Sequence, residues 1–292
     1  MSTLAAQRPR VADNRADSDH AALAAACEEG VALCTVAGID GSFSRRPGAQ
    51  LAVYPDGRTA GSLADRCLDR QLAVDVLELR EPVLRRYGRG SDLIDFRLPC
   101  GGGLDIVLDP APDRGACRRA MRDLEERRIA TLPLPQVSPL SERRYLPSLA
   151  IRAFGEGAEL EMLARLGNAM NIGIEFFAPD DLTLGKASGL PPADPWTAAV
   201  FLFHDHEWEL ALIEEALKGG AFYIGAQGGE NARIGRTVDL LTRGVDEGGL
   251  ARMRSPVGLI PSCKTPEALA LSVLSEIVGE YEALKDRPRD GA

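Results

Sequence analysis

The chain has no CxxC pair, no Gly-x-Ser-x-Gly elbow, no phosphate-binding P-loop and no apolar run near the length of a membrane span. Its six cysteines, at 27, 34, 67, 100, 117 and 263, are scattered. That spacing sets aside a zinc ribbon or a disulfide framework and reads as reduced thiols of a cytoplasmic protein. Neither a nucleophile–base arrangement nor a paired-carboxylate signature stands out, so the chemistry on view is binding rather than turnover. A membrane span needs about 20 consecutive apolar residues. Met1–His20 lacks an apolar h-region and reads as a polar, disordered tail. Positive charge is also short: 34 Lys and Arg face 43 Asp and Glu, for a net charge of -9. Nucleic acid and anionic membrane surfaces need clustered cations and are therefore not expected partners.

The remaining composition is that of a soluble globular protein, 45% hydrophobic and 26% charged over 292 residues, enough for two domains with real cores. The fold class expected is α/β, a C-terminal Rossmann-like parallel sheet with helices on both faces plus a smaller α+β N-terminal domain. The tail, residues 1–20, leads into that N-terminal domain at 21–110. His20–Gly30 reads as helix, Val31–Val36 and Gln50–Tyr54 as strands, and Pro55-Asp56-Gly57-Arg58 as a turn. Ala64–Tyr87 has helical spacing, with Leu68, Leu72, Val76 and Leu79 on one face. Leu93–Leu98 and Leu104–Leu108 read as a hairpin joined by Cys100-Gly101-Gly102-Gly103. Residues 111–148 read as a linker with a helix, ending in a Pro-rich boundary over Leu132–Pro147. The Rossmann-like domain, 149–284, alternates strands at Leu149–Phe154, Ile172–Ala178, Ala198–Phe203, Ala221–Gly225 and Val257–Ile260 with helices that include Glu207–Lys218 and Pro266–Leu284. Residues 285–292 form a second tail.

Several stretches hold residues fit for chemistry. Ile151–Glu161 reads as a strand turning into a helix through Gly155 and Gly157, the first two glycines of a dinucleotide fingerprint, with Leu160 in the sixth place. Glu156, Glu159 and Glu161 crowd a helix N-terminus whose partial positive charge otherwise attracts phosphate. NAD(P) is thereby set aside as a ligand. Cys100-Gly101-Gly102-Gly103 is either a concavity of backbone N–H groups with a thiol at its edge, or a turn that needs positive φ angles around a small buried cysteine. His204-Asp205-His206 ends an apolar strand where ligands of open α/β sheets collect; Asp205 suits a helix cap, and a third metal ligand is not evident. Gly225–Arg233 either lines the same cleft or is a plain strand-to-helix loop. Thr265, Pro266 and Glu267 suit the N-cap, N1 and first turn of a helix, placing Cys263 and Lys264 at the cleft edge.

The order of these pieces resembles the XdhC/CoxI family of xanthine dehydrogenase accessory proteins, from about residue 25 to 283. Gly41-Ser42 through Arg46-Pro47-Gly48 is similar to the family's Gly-Ser-x-x-x-x-Pro-Gly segment. Tyr54-Pro-Asp56-Gly57, Gly61-Ser62, Cys67 and Cys100-Gly101-Gly102 continue it. His204-Asp205-His206, Ala221–Gly225, Pro256–Leu259 and Thr265-Pro266-Glu267 follow in the family's order. The resemblance implies an accessory protein that binds molybdenum cofactor, guards its sulfurated form and delivers it to a molybdenum hydroxylase apoprotein. A homodimer and a sulfur-transfer or cofactor-synthesis partner go with that role. It places Cys67 and Cys100 at the metal end, with Gly101 and Gly102 beside them. Gly155, Gly157, His204, His206, Gly225, Cys263 and Lys264 would hold the rest of the ligand. The chain departs from the family pattern at Asp65-Arg66, where paired glycines are expected, at Leu160, and at the uncharged Gly225–Gly229 loop. All three weaken an anion site. Two alternatives stand beside this reading: an NAD(P)-binding oxidoreductase using the Rossmann-like half, against which Leu160 and the neighbouring carboxylates argue, or an interaction scaffold that has lost the cofactor site.

Overall fold

The computed structural model describes residues 18–63, 66–91 and 101–285. The chain divides between Pro147 and Ser148 into two compact units. Of the tails expected at 1–20 and 285–292, residues 1–17 and 286–292 lie outside the described residues, as do the strand expected at Leu93–Leu98 and Cys100 itself, whereas Ser18–His20 open a helix and Lys285 ends one.

The first unit contains α1 (Ser18–Ala25), β1 (Ala32–Asp40), β2 (Gln50–Val53), β3 (Thr59–Gly61), α2 (Arg66–Leu77), β4 (Val83–Gly88), β5 (Gly103–Asp109), α3 (Arg114–Glu125), β6 (Ala130–Pro133) and β7 (Glu142–Tyr145). Five strands form an antiparallel sheet in the order β3-β2-β1-β5-β4. Side chains alternate across β1. Ala32, Cys34 and Val36 pack with Leu68, Leu72 and Val76 of α2, whereas Leu33 packs with α1 and with Ala116, Cys117 and Ala120 of α3. Residues 111–148, expected as a linker with a helix, hold α3 and the β6–β7 pair, and Ala130, Leu132 and Tyr145 join the α1–α3 core. The helix expected over Ala64–Tyr87 ends at Leu77, and Val83–Gly88 is a strand. Pro82 explains the switch: it lacks an N–H and disfavours helical geometry at Glu81.

The second unit has the expected Rossmann-like sheet. Its elements are β8 (Ala150–Gly155), α4 (Gly157–Ala169), β9 (Gly173–Phe177), β10 (Thr197–Leu202), α5 (Leu210–Lys218), β11 (Tyr223–Ala226), α6 (Glu230–Thr242), α7 (Glu247–Ala251), β12 (Met253–Arg254) and α8 (Pro266–Lys285). All five strands run parallel, in the order β12-β11-β10-β8-β9. One face packs Ile151, Ala153, Ala198 and Val200 against Leu160 and Leu163 of α4 and Val273, Leu274 and Ile277 of α8. The other packs Phe154, Ala199 and Phe201 against Leu212 and Ile213 of α5 and Leu240 of α6. Burial on both faces is why β10 reads as one unbroken apolar run. The strand expected at Val257–Ile260 is a loop; Gly258 turns at φ +97°, and pairing at the sheet edge falls to Met253 and Arg254.

Leu163 is fully buried, whereas Val238 on the outer face of α6 is 56% exposed. Leu163→Ala should lower unfolding free energy by about 2–5 kcal/mol in denaturant titration, and Val238→Ala by less than about 0.5 kcal/mol.

Candidate functional site

The chain leaves β8 toward β9 on one side, and β10 continues toward β11 on the other. This reversal of strand order opens a crevice at the carboxyl ends of β8 and β10, where open α/β sheets take ligands. Gly155 and Gly157 occupy its β8 side. A Cβ at Gly155 would stand 2.5 Å from the carbonyl oxygen of Leu202, so glycine there lets the two strand ends approach closely. Gly157 has φ +82°, the left-handed region that favours glycine. Leu160, in the sixth fingerprint place, is buried in the core with Leu163 and Ile174. Glu159, in the first turn of α4, reaches across the crevice, its Oε2 3.6 Å from His204 Nε2. A carboxylate of the protein therefore already sits at this helix N-terminus.

His206 belongs to a buried polar cluster that was not legible in the sequence. Asp205 caps the short 3-10 turn His206–Trp208 as expected, its Oδ1 accepting from the Glu207 N–H at 3.0 Å. Glu209 follows that turn, and its Oε1 lies 2.9 Å from His206 Nδ1 and 2.7 Å from Arg236 Nε. Glu209 is fully buried and the Arg236 side chain is 2% exposed. Arg236 also donates to Ser255 Oγ at 2.6 Å and to the carbonyl of Gln227 at 2.5 Å. One guanidinium thus ties together the segments after β10, β11 and β12. Burial pushes the Glu209 carboxyl above its ordinary range, while Arg236 and His206 pull it back. The second carboxylate oxygen, Oε2, is buried with no hydrogen-bond partner among the described residues. The one available sequence signal was Arg236 itself, four residues before buried Leu240 on the inward face of a helix.

The loop after β11 joins the same crevice. Gln227 Nε2 donates to the carbonyl of Phe203 at 2.9 Å. A Cβ at Gly228, which has φ +127°, would lie 3.1 Å from the His206 ring. Gly229 caps α6 without a side-chain bond and faces open space, while Arg233 turns to Glu230 at 3.4 Å. Gly225 sits inside β11, where a Cβ would meet Tyr223 and Val257 at 2.7 Å, so its smallness serves packing. Cys263 and Lys264 precede α8, whose start at Thr265 and Pro266 is as expected, with Thr265 Oγ1 accepting from Ala268 N–H. Their loop is fastened to α8 through Gly258 N–H to Glu276 and Ile260 N–H to Ser272, and Cys263 Sγ donates to the Ile260 carbonyl. The structure thus groups Gly155, Gly157, His204 and His206, and records no contact between these and Cys263 or Lys264.

In the first unit, Cys67 is exposed in the first turn of α2. Gly101 is exposed at φ +67°, and the buried Gly102 accepts from Arg89 N–H at 2.8 Å. Beside them, Arg86 bridges Asp40 and Asp105 at 2.9 Å each, and Arg89 pairs with Asp40 at 2.5 Å. These guanidiniums already face carboxylates, and they hold Asp40 below its usual range. Neither arginine was anticipated, because their partners lie 19 to 49 residues away in sequence. Cys34 and Cys117 are buried; burial pushes the Cys34 thiol far up and that of Cys117 to about 11. Among the described residues no group of three or more His, Cys, Asp and Glu is placed to hold a metal, and no helix is long and apolar enough to cross a membrane.

Two measurements check this description. Native alkylation at pH 8 should modify Cys67 and spare Cys34 and Cys117 until the protein unfolds, as read by peptide mass spectrometry. Glu209→Ala or Arg236→Ala should each cost about 3–5 kcal/mol in denaturant titration, since either leaves a buried charge alone. The double variant should cost clearly less than the sum.

Comparison with known proteins bears on both units. Residues 151–277 match the model of the XdhC Rossmann domain, and residues 24–88 match that of the XdhC and CoxI family. The molybdenum cofactor insertion chaperone PaoD of Escherichia coli (strain K12) is 29% identical over 269 residues, covering 85% of this chain and 83% of that protein. A crystal structure described as a xanthine dehydrogenase from Bacillus halodurans superposes with a TM-score of 0.70 at 18% identity, over 94% of this chain and 98% of that one. At that identity the likeness is one of fold. With a family domain matched in each unit and a relative aligned across most of both, the chain belongs to the XdhC and CoxI family.

Proposed function

We propose that this protein binds molybdenum cofactor and delivers it to a molybdenum hydroxylase apoprotein of the xanthine dehydrogenase type, and is not itself a conventional enzyme. The observation that carries this reading is the alignment with a molybdenum cofactor insertion chaperone across 85% of the chain. The crevice offers fitting donors for the pterin and phosphate end of such a cargo. Gly228 and Gly229 leave the first turn of α6 uncovered by any side-chain cap, and His206 stands beside them. Backbone N–H groups at a helix N-terminus suit a phosphate. Each first turn carries one glutamate: Glu230 of α6 is paired with Arg233, whereas Glu159 of α4 points to His204 in the crevice. In this reading Gly155, Gly157, His204 and His206 shape the crevice wall. Within the first unit, the thiol of Cys67, exposed on α2, and that of Cys100, next to Gly101 and Gly102 in sequence, are proposed to shield a metal–sulfur centre.

The same reading takes the working protein to be a cytoplasmic homodimer that meets the apoprotein and a sulfur-transfer or cofactor-synthesis protein. It gives NAD(P) no role, because the buried Leu160 and the Glu159 carboxylate oppose a dinucleotide at α4.

Protein purified from a molybdate-replete host and then oxidised should release fluorescent pterin derivatives. Cys67→Ala and Cys100→Ala should each reduce the yield severalfold without changing the thermal unfolding midpoint. Unchanged pterin content in both variants removes the thiols from the site. No pterin in the wild-type protein, with retained binding to apo-hydroxylase, turns the reading into that of a scaffold. NADH binding in the micromolar range restores the oxidoreductase reading.

A further inference from the structure

A groove of about 490 Å³ opens between the outer face of α3 and the turn that ends α1. Its wall holds Arg118, Arg119 and Arg122, with Met121, Cys27 and a single carboxylate, Glu125. Gly115 completes it; a Cβ there would stand 3.2 Å from Arg119 Nη1, so glycine keeps room for that guanidinium. The spacing of Arg114, Arg118 and Arg122 sets like charges four residues apart, an arrangement that weakens an isolated helix. In a chain of net charge -9, three guanidiniums against one carboxylate make a local cationic excess.

The neighbouring acids offset only part of it, Glu28 beside Cys27 also accepting from Tyr54. Asp123 and Glu126 both bind Arg128, and Asp113 lies 3.9 Å from Arg119 while capping α3. Arg114 and Arg118 donate to the carbonyls of Ala26 and Cys27 at 2.9 and 3.1 Å, which satisfies the end of α1 and fixes Arg118 at the groove edge. One N–H group of Arg118 is used in that bond, and the rest of its fork is left for a ligand. The Cys27 thiol donates to the Leu23 carbonyl at 3.5 Å, and burial pushes it up, so it is a neutral wall rather than a nucleophile.

We propose that this groove binds a small molecule through a terminal phosphate, held by Arg118, Arg119 and Arg122, with Met121 and Cys27 against its apolar part. The volume is that of small-molecule sites, roughly 300–1,000 Å³. Guanidinium forks match phosphate oxygens in pairs. A phosphate monoester carries about -1.5 to -2 at pH 7, complementary to three arginines and one glutamate. This site lies wholly within the first unit and does not depend on the cofactor-delivery reading.

The test is calorimetric titration of the full-length protein with phenyl phosphate at low ionic strength, beside benzoate as a monoanionic control. Phenyl phosphate should bind saturably and benzoate much more weakly. An Arg119→Ala/Arg122→Ala variant should lose roughly tenfold or more in affinity, as expected for lost charge-assisted hydrogen bonds. Its far-ultraviolet circular dichroism and melting curve should match the wild type, and Arg165→Ala, which removes an exposed cation from the second unit, should bind phenyl phosphate normally. Absence of saturable binding, equal affinity in the double arginine variant, or loss caused by Arg165→Ala would each overturn the assignment.

Discussion

The crevice of the Rossmann-like unit depends on one buried ion pair, Glu209 with Arg236. Two charges taken out of water must compensate each other, and here they also bind everything around them. Arg236 reaches Glu209, Ser255 and the Gln227 carbonyl, while Glu209 reaches back to His206. The segments that follow three adjacent parallel strands are thereby held in one arrangement. His206 is placed by that pair, and Gly228 supplies the room for its ring. The orphaned Glu209 oxygen marks a cost that the rest of the cluster offsets.

Much of the architecture could be read from local pattern, because local physics fixed it. Ala198–Phe203 is apolar without interruption since both faces of β10 are covered, and Thr265-Pro266-Glu267 starts a helix for reasons contained in three residues. Other features were hidden for equally physical reasons. The apolar spacing Leu68–Leu79 runs on past Leu77, where α2 ends and, after Pro82, a strand begins. Helix α6 begins at Glu230, inside the stretch Gly225–Arg233 that reads as a strand-to-helix loop, because its glycine-rich approach hides the boundary and its apolar residues are divided between a buried face and an exposed one. The site was less legible than the fold. His204 and His206 could be placed at a strand end, but Glu209 and Arg236 meet across 27 residues and neither belongs to a motif. Gly225, expected where the strand passes into the loop, is a packing glycine within β11.

In the proposed cofactor-handling role the two units bring different chemistry. The first displays a thiol, Cys67, in a unit where Arg86 of β4 and Arg89 just after it are paired with aspartates. The second provides a crevice with histidines, backbone donors and little free positive charge. That balance suits a carrier, which has to hold its cargo and then release it. Strong cationic clamps would favour retention.

Transfer is the direct test of this account. The purified protein, loaded in a molybdate-replete host, is incubated with a pterin-free molybdenum hydroxylase apoprotein. The two are then separated, and each is assayed for pterin and for hydroxylase activity. The account predicts that pterin leaves this protein, appears in the hydroxylase and brings activity with it. Pterin that stays behind, or a hydroxylase that remains inactive although the two proteins bind, would contradict it.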